Sequence, residues 1–354
     1  MTITLNPLDT FFFRDGKPFT MGAETWADGV FPPAPSVLYG ALRSLWLSQQ
    51  KDGFSEVNIK ASENLRIKKI GLQVGELAIP APRDLVKEKY YAAYHLTKPI
   101  ESNFLIKKQG LKAVLPPTED FVEELSGSNF LNKDSFQAYL NDDLSNLTFH
   151  SDIILNESKI GIGRDFETRT TEEGKLYRVD FKRFIAEDTR FVIEFEGLSF
   201  NHMDFLRFGG EGKAVHIELL DKKPSIQPPK FEGDEKSFRL VLATPSVFDN
   251  GWLPDWINES SFEGEYEGIK LKLVSASLGR PLSIGGFGYN LKNKRFEPKT
   301  MFRAIPVGSV YWFDILEGSI NDVVTKFHEQ SILNSSPKFS QKAKEGFGIC
   351  YVGR

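Results

Sequence analysis

The chain has 354 residues, 40% hydrophobic and 26% charged, with a formal net charge of −4, so it is long enough for two cores and is not a protein that coats nucleic acid with its whole surface. A single cysteine, Cys350, excludes an intramolecular disulfide and a thiolate metal cluster, which fits a reducing cytoplasm. No apolar run reaches the roughly 18 residues needed to span a bilayer, and Met1-Thr2-Ile3-Thr4-Leu5 lacks the order of a signal peptide, so the expectation is a cytoplasmic protein with no membrane partner.

Residues Thr2 to Phe13 read as a strand, followed by an Asp-Gly turn that sets Arg14 and Lys17 on either side of it. Pro32-Pro33-Ala34-Pro35 leads into a helix expected over Ser36 to Gln49, with Ser36 as N-cap and Val37, Leu38, Ala41, Leu42, Leu45 and Trp46 at helical spacing. Asn64 to Val74 alternates as a strand. The stretch from about 76 to 156 reads as an insertion, with short helices expected at Glu119 to Leu125 and Ser135 to Leu140. A long hairpin, or β-arm, follows over about 158–186, its tip at Thr168 to Gly174. Arg190 to Phe195 is a strand, Asn201 to Arg207 a short helix, and Phe208-Gly209-Gly210-Glu211-Gly212-Lys213 a glycine turn feeding the strand Ala214 to Leu219.

Lys223-Pro224-Ser225-Ile226-Gln227-Pro228-Pro229-Lys230 is the best linker, which divides the chain into 1–228 and 229–354. Beyond it, strands are expected at Ser237 to Thr244, Gly268 to Ser277, Thr300 to Ile305 and Ser309 to Asp314, then a helix over Ser319 to Gln330. A second glycine turn, Lys344-Glu345-Gly346-Phe347-Gly348, feeds the last strand. Both halves end in helix, glycine turn, strand. The fold class that fits is α+β, a pair of ferredoxin-like (RRM-like, βαββαβ) domains with insertions and glycine-rich loops.

Consecutive glycines let backbone N–H groups approach an anion, so phosphate binding competes with a purely conformational role for these turns. The nucleotide-binding motifs fail on spacing. Arg207 and Ala214 stand where a P-loop needs Gly and Ser or Thr, and Phe166 stands where a dinucleotide fingerprint beginning at Gly161 needs its third glycine. Basic residues neighbour the glycines repeatedly: Arg164, Lys213, Arg280, Lys299 and Arg303. Such a pattern favours a track for the backbone of a single-stranded nucleic acid. The five histidines show no metal-ligand spacing and no nucleophile elbow is present, so neither a cofactor, a metal nor an enzymatic role is expected.

Several segments carry a resemblance: Leu8 to Phe19, Phe31 to Arg43, Gly161-Ile162-Gly163-Arg164 with Thr168 to Tyr177, Gly209 to Lys213, Gly279-Arg280-Pro281 with Pro298-Lys299, and Arg303 to Trp312. In this order they resemble the third-subunit family of the Cmr complex, the type III-B CRISPR effector, a branch of the repeat-associated mysterious proteins (RAMPs). The resemblance implies an antiviral RNA-guided role: binding of the 5′ tag of the CRISPR RNA, contact with the large polymerase-like subunit and with the first backbone RAMP subunit, and no nuclease role. On it, Arg14, Lys17, Arg43, Arg164, Arg169, Lys213, Arg280, Lys299 and Arg303 are the candidate contacts to phosphates or tag bases. Gly209, Gly210, Gly212, Gly346 and Gly348 would allow close backbone approach. The alternatives are a RAMP endoribonuclease that processes repeat RNA through His216 or another histidine, and a scaffold that binds only protein.

Overall fold

The computed structural model describes residues 1–14, 26–90, 93–101, 110–118, 121–125, 129–290, 293 and 295–354. The architecture is mixed α/β and rich in strands, built on two large antiparallel sheets. The first has eight strands, in the order Phe149–His150, Phe130–Asn132, Glu76–Pro80, Arg66–Val74, Thr189–Glu196, Thr2–Pro7, Ala214–Leu219 and Phe205–Arg207. The second has six: Glu263–Tyr266, Ile269–Ser277, Val310–Glu317, Ser237–Leu242, Ile349–Gly353 and Gln330–Ser331.

A shared core runs through both. Taking Thr2–Pro7, Arg66–Val74, Thr189–Glu196 and Ala214–Leu219 as first to fourth in the chain, their order across the sheet is fourth, first, third, second. Ser237–Leu242, Ile269–Ser277, Val310–Glu317 and Ile349–Gly353 repeat that order. Each half has a helix at only one of its two crossovers: Pro35–Ser48 after the first strand in one, Ile320–Phe327 after the third in the other.

Local chemistry accounts for both helices. Pro35 sits at the first turn, where its missing N–H is no loss, and Ala34 rather than Ser36 is the N-cap. Leu38, Tyr39, Leu42 and Leu47 are its buried stripe. Ser319 and Asp322 form a reciprocal capping box that starts Ile320–Phe327, whose Ile320, Val323 and Phe327 are fully buried.

Two expected helices are absent. Val122–Glu124 is a strand paired with Leu85–Glu88. Phe205–Arg207 is an edge strand on Ala214–Leu219, where ladder bonds outweigh a short and weakly amphipathic helix. Within the stretch expected as an insertion, Glu76–Pro80, Phe130–Asn132 and Phe149–His150 extend the edge of the first sheet.

Phenylalanine, the outlier of the composition at 30 residues, is spent largely on packing. Phe11, Phe13, Phe184, Phe191 and Phe208 interlock with ring centroids 4.8 to 6.2 Å apart.

The two halves are joined by a third core, in which Leu77, Leu85, Phe136, Tyr139 and Leu140 meet Val241, Trp312 and Tyr351. Two buried charge networks cross the same boundary. Arg239 donates to Asp142 at 2.6 Å, to the Tyr139 carbonyl at 2.6 Å and to the Arg354 carbonyl at 2.9 Å, beside the fully buried Asp84. Lys69 donates to Glu329 and to the Pro224 carbonyl, both at 2.6 Å. The proline-rich segment is therefore docked along its length: Ile226 is 1% exposed, and Gln227 exchanges two hydrogen bonds with Gln137.

Candidate nucleic-acid interface

The first glycine turn folds against the segment that follows the first strand. Gly210 donates its N–H to the Phe12 carbonyl at 2.8 Å, and Phe208 donates to the Lys213 carbonyl at 2.8 Å. Gly209 has φ 83°, and a Cβ there would stand 2.6 Å from the Phe12 oxygen. Glycine is thus required by backbone conformation and by the close approach of Phe12. The N–H groups of Phe208 and Gly210 are committed to these bonds, and Lys213 is the cationic side chain of the turn.

Lys213 pairs with Asp9, and its ammonium lies 5.5 Å from the centre of the Phe181 ring. Lys159, from the β-arm, stands 4.4 Å from the same ring and donates to the Thr10 hydroxyl at 3.3 Å. Two cations thus stand over one buried ring, with the Asp9 carboxylate paired to Lys213. The hydrogen bond from Lys213 holds Asp9 below the usual carboxylate range, and the same bond raises Lys213, so both stay charged at neutral pH.

The β-arm is Ile154–Arg164 paired with Thr171–Phe184, and Trp26–Asp28 adds to it in parallel. Facing pairs place Ser158 opposite Asp180 and Ile160 opposite Arg178, with Trp26 next to Arg178. The Arg178 guanidinium stacks 4.0 Å from the Trp26 ring, which is 54% exposed. Asp180 holds the stack by accepting from Trp26 Nε1 and Arg178 Nε, each at 3.1 Å, and from Ser158 at 2.5 Å. Burial pushes Asp180 up, but the bonds from Ser158, Arg178 and Trp26 outweigh it and leave the carboxyl lowered. On the opposite face Val179, Phe181, Ala27 and Phe12 form a small core. Gly161 is glycine because the Tyr177 ring occupies the place of its side chain.

The candidate residues divide. Arg14 bridges to Gly29 in this region, alongside Gly209, Gly210, Gly212 and Lys213, while Lys17 lies outside the described residues. Arg164 and Arg169 are at the tip of the arm, where Arg164 closes the turn by donating to the Arg169 carbonyl at 3.0 and 3.2 Å. Arg280, Lys299 and Arg303 are exposed on the second half, around the hairpin between its second and third strands.

Three candidates are corrected. Arg43 is spent bracing its helix, donating to Ser62 at 2.6 Å and to the Ile59 carbonyl at 2.9 Å. Gly346 is buried in the seam between the halves, where a Cβ would meet Ile67 of the first sheet at 2.9 Å, and Gly348 is buried in the second core against Ile332 and Leu333. Neither glycine offers a surface to a ligand.

Lys159, Arg178, Trp26 and Phe181 join the candidates only in the structure. The alternation of basic and aromatic residues in Lys175-Leu176-Tyr177-Arg178-Val179-Asp180-Phe181-Lys182 was the available signal, but only the register of the arm shows which residues share a face. His216 sits in mid-strand, its ring 5.1 Å from Phe205 and 3.6 Å from the Glu218 carboxylate. Among the described residues no three of His, Cys, Asp or Glu converge in a way that could hold a metal, and no helix is long and apolar enough to cross a membrane.

No curated protein matches the chain in sequence. Two solved structures, titled as the type III-B Cmr-beta complex bound to cognate target RNA, one of them also with AMPPnP, contain a chain of similar fold. The TM-scores are 0.54 and 0.53 at 16% identity, covering 98% of this chain and 94% of the other. The sequence from residue 3 to 354 matches the model of the family described as CRISPR-associated protein (Cas_Cmr3), and the chain belongs to that family.

Proposed function

We propose that this chain is a non-catalytic RNA-binding subunit of a type III-B Cmr effector complex, one that caps the 5′ tag of the CRISPR RNA and bridges to the large polymerase-like subunit and the first backbone subunit. Each four-stranded core is read as a ferredoxin-like unit that retains one of its two helices, the order fourth, first, third, second being that of the βαββαβ motif. The observation that carries the RNA reading is the pair of cations, Lys159 and Lys213, over the Phe181 ring, with the exposed Trp26–Arg178 stack on the other face of the same arm. Ammonium groups position phosphates, and an exposed indole backed by a guanidinium accepts a base face. Asp9 is the counter-ion that an incoming phosphate would replace. The fold match to chains in RNA-bound Cmr assemblies supports the setting.

Guide binding by the reconstituted complex tests this, using guides with and without the tag. Tagged guide should bind more tightly, and Lys159→Ala with Lys213→Ala should erase the difference. Equal affinity for both guides in the wild-type complex would refute the tag-holding role.

A further inference from the structure

The second half carries its own arm. Leu282–Ile284 pairs with Phe302–Ala304, and Phe287–Asn290 pairs with Arg295–Pro298. The bond from the Lys299 N–H to the Gly286 carbonyl, at 2.8 Å, continues the hairpin between the two ladders. This hairpin joins the second and third strands of its four-stranded core, the same connection that carries the 154–184 arm in the first half. Its base is anchored: Ile284 and Ala304 are buried in the second core, and Phe302 packs on Phe339. Two of its outer rings are exposed to solvent. Phe287 is 67% exposed and Tyr289 44%.

Residues two apart on a strand point the same way, so these rings share a face, about 6.8 Å apart along the strand. That is about two base steps of 3.4 Å. Of the cations on this hairpin, Lys299 lies over Gly288 on the other side of the strand and Arg303 and Arg280 stand at the base; all three are exposed and make no ion pair among the described residues, whereas Arg295 is neutralised by Glu297 at 2.7 Å. Exposed aromatic rings flanked by uncompensated cations match a single-stranded polyanion that has faces to stack, and match an acidic or apolar protein surface less well.

We infer that the 282–304 hairpin is a second nucleic-acid arm, on which unpaired bases of RNA stack against Phe287 and Tyr289 while Arg280, Lys299 and Arg303 hold the flanking phosphates. The inference rests on the RNA-binding reading above but uses a different surface. Stacking makes it tolerant of base identity, so it suits a stretch of variable sequence rather than a fixed tag.

The test is titration of the full-length chain with a labelled short poly(A) oligonucleotide and, as a polyanion without bases, polyphosphate, over a range of salt. Phe287→Ala with Tyr289→Ala should weaken poly(A) at least about tenfold while leaving polyphosphate affinity and the salt slope unchanged. Arg280→Ala, Lys299→Ala and Arg303→Ala together should weaken both ligands and reduce the salt slope by about 2. All five positions are exposed, and circular dichroism should show an intact fold.

Poly(A) affinity within twofold of wild type for the aromatic variant would overturn the inference. So would a wild-type chain that binds poly(A) no better than polyphosphate, or an aromatic variant that retains RNA but fails to enter the assembled complex, since that marks a protein-docking hairpin. Loss of tag discrimination in the Lys159 and Lys213 variant with this arm intact, or the reverse, separates failure of one site from failure of the other.

Discussion

The two glycine turns are alike as sequence and opposite as structure. Gly209-Gly210-Glu211-Gly212 lies at the surface, pinned to the Phe12 carbonyl, and delivers Lys213 to a pair of cations over Phe181. Gly346-Phe347-Gly348 is buried, with Gly346 at the seam against Ile67 and Ile70, and Phe347 and Gly348 in the second core, Gly348 against Ile332 and Leu333. The same backbone device, a positive φ before a last strand, serves a candidate binding surface in one half and cohesion between halves in the other. What differs is the face left uncovered after the halves dock.

The sharpest break of this comparison is at the seam. Arg239→Ala leaves Asp84 buried without its guanidinium and should cost about 3–5 kcal/mol, measured by urea unfolding. Asp84 is already pushed above the usual carboxylate range by burial, against the pull of Arg239. Gly346→Ala forces a side chain at φ 91° into Ile67 and should cost about 3 kcal/mol by the same measurement, with RNA affinity of the folded protein unchanged.

At the surface turn the effect should move from stability to binding. Lys159→Ala with Lys213→Ala should shift the urea midpoint only slightly, since both lysines are partly exposed and a surface ion pair contributes about 0–1 kcal/mol. The same variant should lower guide affinity about tenfold at low salt and reduce the salt slope by about 1.4, for two phosphates on a single strand. Gly212→Ala, at φ 63° with open space around the added methyl, should cost only about 1–2 kcal/mol.

The smallest expected effect is a pH dependence at the seam. His328 accepts from the Val352 N–H at Nδ1 (3.3 Å), so its Nε2 carries the proton and donates to the Ile226 carbonyl at 2.9 Å. Burial holds its pKa below the ordinary histidine value, with Lys69 adding to the depression and the Ile226 bond and Glu329 opposing it. The unfolded chain then binds the proton first as pH falls, so stability should decline below about 6.5 and level off once the folded form protonates as well. Melting temperature against pH, compared with His328→Gln, measures this. An unchanged slope in the variant would assign the dependence elsewhere.

Local pattern is legible in the sequence. The helix that runs to Ser48 follows from its apolar spacing after a proline, the Ile320–Phe327 helix from the Ser319 cap, and the arm from two alternating strands around a polar tip. What a partner decides is not legible there. Phe205–Arg207 pairs because Ala214–Leu219 offers an open edge, and Glu76–Pro80 belongs to the first sheet because Arg66–Val74 turns back on itself. Arg43 looks like any cation beside a glycine-bearing helix, and only the adjacent 59–62 turn shows it to be occupied.

By itself the sequence determined that each half closes with a glycine turn feeding a strand, because a run of glycines marks a backbone free to take positive φ. Only the tertiary structure decided which turn faces solvent and which cations stand together. Those outcomes depend on strand register and on how two sheets dock, and they bring Lys159 to Lys213, and Gly346 to Ile67, from distant parts of the chain.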